Sequence, residues 1–359
     1  MKFTIDKSIL YKAVSKVQRA SDKNAAFAPI QGILLEANGQ SLKLTATNLS
    51  LTIQCIVEDV DVAVLGRALI PAKFFSDLLR KLSGTITIET VYENGIKLYC
   101  GDLTATIHTI DHDEFPGLPV ISEAKELFTQ TKILKTMLAK TLFATSSDDN
   151  RPVFTGILFK ASKGNIDFVA TDTRRLTKFN HFIGFPGEIN VIVPGKAMKE
   201  LVKVFDGKVV KVSFTDSYAV FECENTKLIT KLIEGQYPNY EEVLPKDPKA
   251  TISADKATIK NAIERANVFS DRFDGSIVHL SGKDSLVISG SSSIFGDIKQ
   301  TIKVEHDGEE VRAAFNCEFL LQAINAMTGD KVHINYFGAC APMTFCEEGY
   351  LQLILPVRV

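Results

Sequence analysis

The side chains that could do chemistry are few. The segment "HTIDHDE" gathers His108, Asp111, His112, Asp113 and Glu114. Imidazole nitrogens and carboxylate oxygens are the donors a divalent metal accepts, and a bound ion could activate water against a phosphorylated or nucleic-acid substrate. The pattern places His108 at a strand end and the rest in the turn before Phe115-Pro116, where such groups are ordinarily solvated. "SSDDNR" (Ser146–Arg151) supplies Asp148 and Asp149 with no base nearby, and reads better as a helix cap. There is no glycine-rich phosphate loop, dinucleotide-binding glycine pattern, paired-histidine zinc helix or serine nucleophile elbow. The six cysteines lie mostly in apolar runs and form no CxxC pair, as expected of buried free thiols in a reducing compartment. The expectation is no catalytic group, no metal and no cofactor. A metal-dependent hydrolase working through His108, Asp111 and His112 is the alternative.

The elements around these residues carry more information. The 359 residues allow two or three domains with real cores, and 45% hydrophobic with 23% charged residues is ordinary globular composition. A net charge of −2 does not mark a nucleic-acid binder, so any attraction to phosphate must come from where charge is placed. "MKFTIDKSIL" runs straight into amphipathic sequence, and no apolar run is long enough to cross a bilayer. A cytoplasmic protein without membrane contact is expected.

The helical stretch "IPAKFFSDLLRKLSG" is written again as "VPGKAMKELVKVFDG" and, more loosely, as "FNCEFLLQAINAMTG", at a period of about 120 residues. The hairpin patterns "GILLEANGQSLKLTATN", "GILFKASKGNIDFVATD" and "GSIVHLSGKDSLVISGS" follow the same period. Each is preceded by a helical pattern: "SILYKAVSKVQRA", "KILKTMLAKTLFA" and "ATIKNAIERANVF". A repeat of this length is a domain rather than a solenoid unit. The fold class predicted is therefore α+β, with three tandem helix/antiparallel-sheet domains over residues 1–119, 120–245 and 246–359.

The helices are two-faced. Phe74, Phe75, Leu78, Leu79 and Leu82 form one apolar stripe, with Lys73, Asp77 and Arg80 opposite. Met198, Leu201, Val202 and Phe205 oppose Lys196, Lys199 and Lys203. Leu10, Ala13, Val14 and Val17 oppose Lys12, Lys16 and Arg19. Equivalent helices thus keep cations away from the core in a slightly acidic chain, which suits a phosphate backbone; Lys23 and Arg151 are assigned to the same DNA-facing set. The third repeat departs, with Glu318, Gln322 and Asn325 on that face. No base-reading motif or aromatic array is evident, so duplex DNA should be held without regard to sequence.

Taken together, "DEFPGLP" (Asp113–Pro119), "VATDTRRL" (Val169–Leu176), "GQYPNYEEVLP" (Gly235–Pro245) and the tail "LILPVRV" (Leu353–Val359) make the whole chain resemble the bacterial replicative sliding clamps, the beta subunits of DNA polymerase III. The resemblance implies the DNA clamp fold and a head-to-tail homodimer. In it, six domains form a ring, helices line the hole and sheets lie outside. It implies partners that dock by short peptides: the polymerase III catalytic subunit, the clamp loader, other polymerases and repair proteins. Positions matching the family's pocket are Phe154, Thr171, Thr173, Arg174, Arg175, Leu176, Pro238, Glu242 and Val243, with Leu353, Leu355, Pro356, Val357 and Arg358 from the tail. Family members carry Gly-His where this chain has Thr173-Arg174 and a base at Glu242, so its peptide preference is expected to differ. Ile107, Val268 and Phe269 match the dimer seam.

Overall fold

The computed structural model describes residues 1–92, 95–122, 124–269 and 277–357; Arg358 lies outside them. Six helices recur in pairs: α1 (Lys7–Val17) with α2 (Ala72–Lys81), α3 (Thr131–Thr141) with α4 (Gly195–Val204), and α5 (Lys256–Val268) with α6 (Cys317–Ala326). The first helix of each pair continues directly from a strand. Where the repeat writes Asp at that boundary, the carboxylate caps the helix: Asp6 accepts from Ser8 N at 2.7 Å and Asp255 from Thr258 N at 2.7 Å. One tie holds all three repeats together. Lys7, Thr131 and Lys256 donate their backbone N–H to the carbonyls of Gly84, Lys208 and Asp330, at 2.9, 2.9 and 2.8 Å. The first turn of one helix is thereby fixed to the loop that ends the second.

The expected hairpins form, Gly32–Asn38 with Ser41–Thr47 and Gly156–Ser162 with Gly164–Thr171. Gly39 and Gly164 supply the positive φ their tight turns need. The exit of each repeat is closed alike. Ile110, Ile233 and Val357 donate N–H to Leu69, Ile192 and Ala314 at 2.8, 2.9 and 2.8 Å.

The chain divides into two compact units, residues 1–135 with 196–232 and residues 136–195 with 233–359. Each contains a long antiparallel sheet that crosses a repeat boundary. In the first unit Leu51–Val57 pairs with Thr226–Lys231 inside an eight-stranded sheet, beside a separate five-stranded sheet. In the second, Arg175–Phe185 pairs with Tyr350–Ile354 inside a nine-stranded sheet, beside a four-stranded one. Alternating strand residues and one face of α5 and α6 make the third repeat's core, with Phe315, Leu320 and Ile324 fully buried. Nearby, Lys140 pairs with Glu347, which also accepts from Thr328 N at 2.9 Å. No helix among the described residues is long and apolar enough to cross a membrane.

Candidate functional site

The pairing of Arg175–Phe185 with Tyr350–Ile354 sets Leu176 opposite Leu353. With Leu158, Val169, Ile192 and Tyr240 they form a small buried cluster against which Val153, Ile233, Tyr237 and Leu244 pack. Above it opens a cavity of about 450 Å³. Phe154 and Tyr237 wall one side in an edge-to-face contact with centroids 6.2 Å apart. Pro238 and Val243 come from the Tyr240 turn, Leu355 from the tail, and Thr171 and Thr173 from the turn before Arg175. Val243 is 55% and Leu355 41% exposed, so two large apolar side chains stand at the mouth. Apolar walls with few polar groups suit the anchors of an extended peptide.

Tyr237, Asn239, Tyr240 and Pro342 also line this cavity and were not singled out from the sequence. The aromatic-Pro turn "GQYPNYEEVLP" held the signal for the first three. Tyr240 donates to Asp167 at 3.2 Å, and the ammonium groups of Lys160 and Lys178 lie 5.4 and 5.6 Å from its ring centre. Burial raises the phenols of both tyrosines, leaving them protonated donors at physiological pH.

Several expected members are placed elsewhere. Arg175 is only 7% exposed. Its Nε donates to Asp172 at 2.9 Å, its other nitrogens to Gln322 and the Phe143 carbonyl, and its guanidinium stacks 4.2 Å from the Phe319 ring. It touches the cavity but holds the second repeat to α6, and is no solvated rim group. Arg174 is exposed and outside the cavity lining, as is Glu242, which accepts from Asn239 at 2.8 Å. Pro356 and Val357 belong to a different cavity, of about 910 Å³, with His279, Arg312 and Cys340. The cause is the exit closure of the third repeat, which ties Val357 to Ala314 and carries the tail away after Leu355.

Thr173 sits at φ 75°, a left-handed conformation that is costly for a β-branched residue. The turn is held because Asp172 accepts from the N–H of both Arg174 and Arg175 at 3.0 Å, and Thr171 Oγ1 accepts from Thr173 N at 3.1 Å. Thr173→Gly relieves about 1–2 kcal/mol of strain and adds about 0.5–1 kcal/mol of chain entropy cost. A net stabilisation of roughly 0.5–1 kcal/mol is expected in urea unfolding. A lower midpoint for the variant would contradict the strain.

The cationic helices are only partly as expected. Lys196, Lys199 and Lys203 are exposed on α4 while Met198, Leu201 and Phe205 are buried. Lys12 and Lys16, however, both reach Asp206, at 3.0 and 2.9 Å, and Arg19 reaches Glu200 at 3.1 Å. The hydrogen bond from Lys16, reinforced by Lys12, holds the Asp206 carboxyl below the usual aspartate range. Glu200 also takes Lys203 at 2.8 Å and Asp77 takes Arg80 at 3.2 Å, so the face is a lattice of ion pairs rather than bare positive charge. Lys23, Lys73, Arg151 and Lys199 are exposed. On α2 the buried side chains are Ala72, Phe75, Ser76 and Leu79; Phe74, expected in the core stripe, is 53% exposed.

The metal alternative does not assemble. Asp111 Oδ1 accepts from Asp113 N at 2.9 Å, His112 lies 3.6 Å from Asp113, and His108 ends the strand Leu103–His108. Among the described residues no three His, Cys, Asp or Glu side chains are grouped to hold a metal. Asp148 turns back onto Asn150 N at 3.0 Å and is a local turn acceptor, not a helix cap. For the seam, Val268 is 71% exposed and Phe269 partly buried, but Ile107 is core, 4% exposed; Leu103 is the exposed apolar residue of that strand.

Three tandem α+β domains that share sheets across their boundaries, with no assembled catalytic group and an apolar pocket beside one shared strand pair, have the organisation of a DNA clamp. The models of the N-terminal, central and C-terminal domains of the DNA polymerase III beta subunit match residues 1–119, 129–239 and 241–358. The beta sliding clamp of Bacillus subtilis (strain 168) is 29% identical, with 100% of both chains covered, and that of Staphylococcus aureus (strain N315) is 27% identical over 100% of this chain and 99% of its own. The crystal structure of the DNA polymerase sliding clamp from Bacillus subtilis superposes with a TM-score of 0.96 at 28% identity, covering 100% of this chain and 99% of that one. The DNA polymerase III beta chain of Streptococcus pneumoniae TIGR4 gives 0.96 at 26% identity, with 100% of both covered. The chain belongs to the DNA polymerase III beta-subunit family. It is a DNA sliding clamp, a processivity factor and not an enzyme.

Proposed function

We propose that two copies close head to tail around duplex DNA and that the pocket beside Leu176 and Leu353 receives short peptides from the polymerase, the clamp loader and repair proteins. The observation that carries the ring is the rule by which neighbouring repeats join. The last strand of one repeat pairs with a hairpin-sheet strand of the repeat before it: Thr226–Lys231 with Leu51–Val57, and Tyr350–Ile354 with Arg175–Phe185. The same rule leaves two members over, Leu103–His108 and Gly296–Lys303, each at a sheet edge with one partner among the described residues. Unpaired edges ask for a strand, and a second copy offers the complementary one at each end. Leu103, Val268 and Phe269 supply apolar contact at that seam. Domain borders near Pro119 and Pro245 belong to the same reading, since each follows a closed repeat exit. The place of action is the cytoplasm, where a bacterial chromosome is copied.

Retention on nicked circular plasmid tests this. A closed ring stays on the circle and leaves after linearisation, and the particle in solution has twice the chain mass. Release from the intact circle, or a monomer that is nevertheless retained, would reject encirclement. Replacing Lys196, Lys199 and Lys203 with Glu is expected to shorten retention severalfold, with each change moving stability by less than about 0.5 kcal/mol. Unchanged retention would remove α4 from the DNA-facing surface.

A further inference from the structure

Beside α2, a cavity of about 540 Å³ combines groups that the ion-pair lattice does not consume. Phe74 lies in its wall, half exposed one position before the fully buried Phe75. Lys73 comes from the same turn and Lys23 from the facing loop. Neither lysine has an ion-pair partner among the described residues, while the one carboxylate present, Asp77, is engaged by Arg80. The cavity is therefore net cationic. The loop bearing Lys23 is built to a shape: Asp22 N donates to the Ile30 carbonyl at 3.0 Å, Asn24 N to Asp22 Oδ1 at 3.0 Å, and Gln31 Nε2 to the Ala25 carbonyl at 2.8 Å. It thus sets Lys23 and the Asn24 amide beside the phenyl ring without a ligand to order it.

We propose that Phe74, Lys23 and Lys73 form a site for an unpaired nucleotide of single-stranded DNA. The base would stack on the phenyl face, and its phosphates would lie between the two ammonium groups. The chemistry favours this occupant over duplex, because a paired base is already stacked on both faces and an exposed phenyl gains nothing from it. One cation pair and one flat apolar face match one nucleotide step and read no sequence. The inference rests on the chain being a DNA clamp, and its failure is separable from failure of that reading.

The test is anisotropy of a fluorescent oligothymidylate with the full chain at low salt, in parallel with retention on nicked circular duplex. Stacking on one aromatic is worth about 1–3 kcal/mol per base, so Phe74→Ala is expected to weaken the oligonucleotide about tenfold or more. Phe74→Tyr should restore it, and duplex retention should not change. The double variant Lys23→Gln, Lys73→Gln should weaken it too and flatten its salt dependence. The proposal is overturned if wild type does not bind the oligonucleotide, if Phe74→Ala binds it equally, or if duplex retention falls in the same proportion. It is also overturned if an acidic aromatic peptide, and not the oligonucleotide, depends on Phe74. Wild-type failure to stay on the nicked circle would instead count against encirclement.

Discussion

Leu355→Asp is expected to weaken a fluorescent partner peptide with leucine and phenylalanine anchors at least thirtyfold, while the protein stays folded and keeps its mass. Leu355 stands at the mouth of the pocket with Val243, and its backbone N–H is already fixed to the Arg174 carbonyl at 2.9 Å, so the side chain can be changed without moving the strand. A hot-spot anchor is worth about 2 kcal/mol or more, and a carboxylate there would be desolvated by the peptide with no cation to meet it. The half-exposed position keeps the cost to folding within about 0.5 kcal/mol. A point change is sharper than removal of the tail, because loss of Val357 would also undo the closure onto Ala314. Peptide affinity equal to wild type would move the docking site elsewhere.

The second large effect is on stability. Arg175→Met removes the donor to Asp172, Gln322 and the Phe143 carbonyl and leaves a mostly buried carboxylate without its cation. Breaking one side of a buried pair costs about 3–5 kcal/mol, so the urea midpoint should fall well beyond the range of a surface change. The loss should be nearly independent of salt, since little of the pair is open to screening. Peptide binding should weaken with it, because Asp172 also holds the turn that presents Thr173. A salt-sensitive loss below about 0.5 kcal/mol would return Arg175 to the solvated rim.

These two residues also show how far a reading of the chain reaches. The helices, the hairpins and the threefold repeat were legible because they rest on local periodicity and on a pattern written three times. Leu176, Leu353, Leu355 and Val243 came through the family resemblance, and the structure brings them to one cavity. Arg175 was misassigned because two of its partners, Gln322 and Phe319, lie in another repeat, beyond any local pattern. Phe74 and Phe75 are adjacent and equally apolar; packing buries Phe75 with Ser76, which periodicity could not choose. The acids that answer Lys12, Lys16 and Arg19 sit near α4, so the stripe looked barer than it is. Val357 was taken for pocket because its true role repeats Ile110 and Ile233, a homology of position with no shared residue type in its surroundings.

The two leftover strand edges have an implication for subunit number. Hydrogen-bond complementarity between such margins specifies orientation and neighbour, yet it is silent about count. Stringing a fourth module onto this polypeptide would preserve the same pair of ends, so stoichiometry must be encoded by the angle at each joint. Variants that bend a joint, and not ones that weaken it, are where assemblies of a different size should be sought.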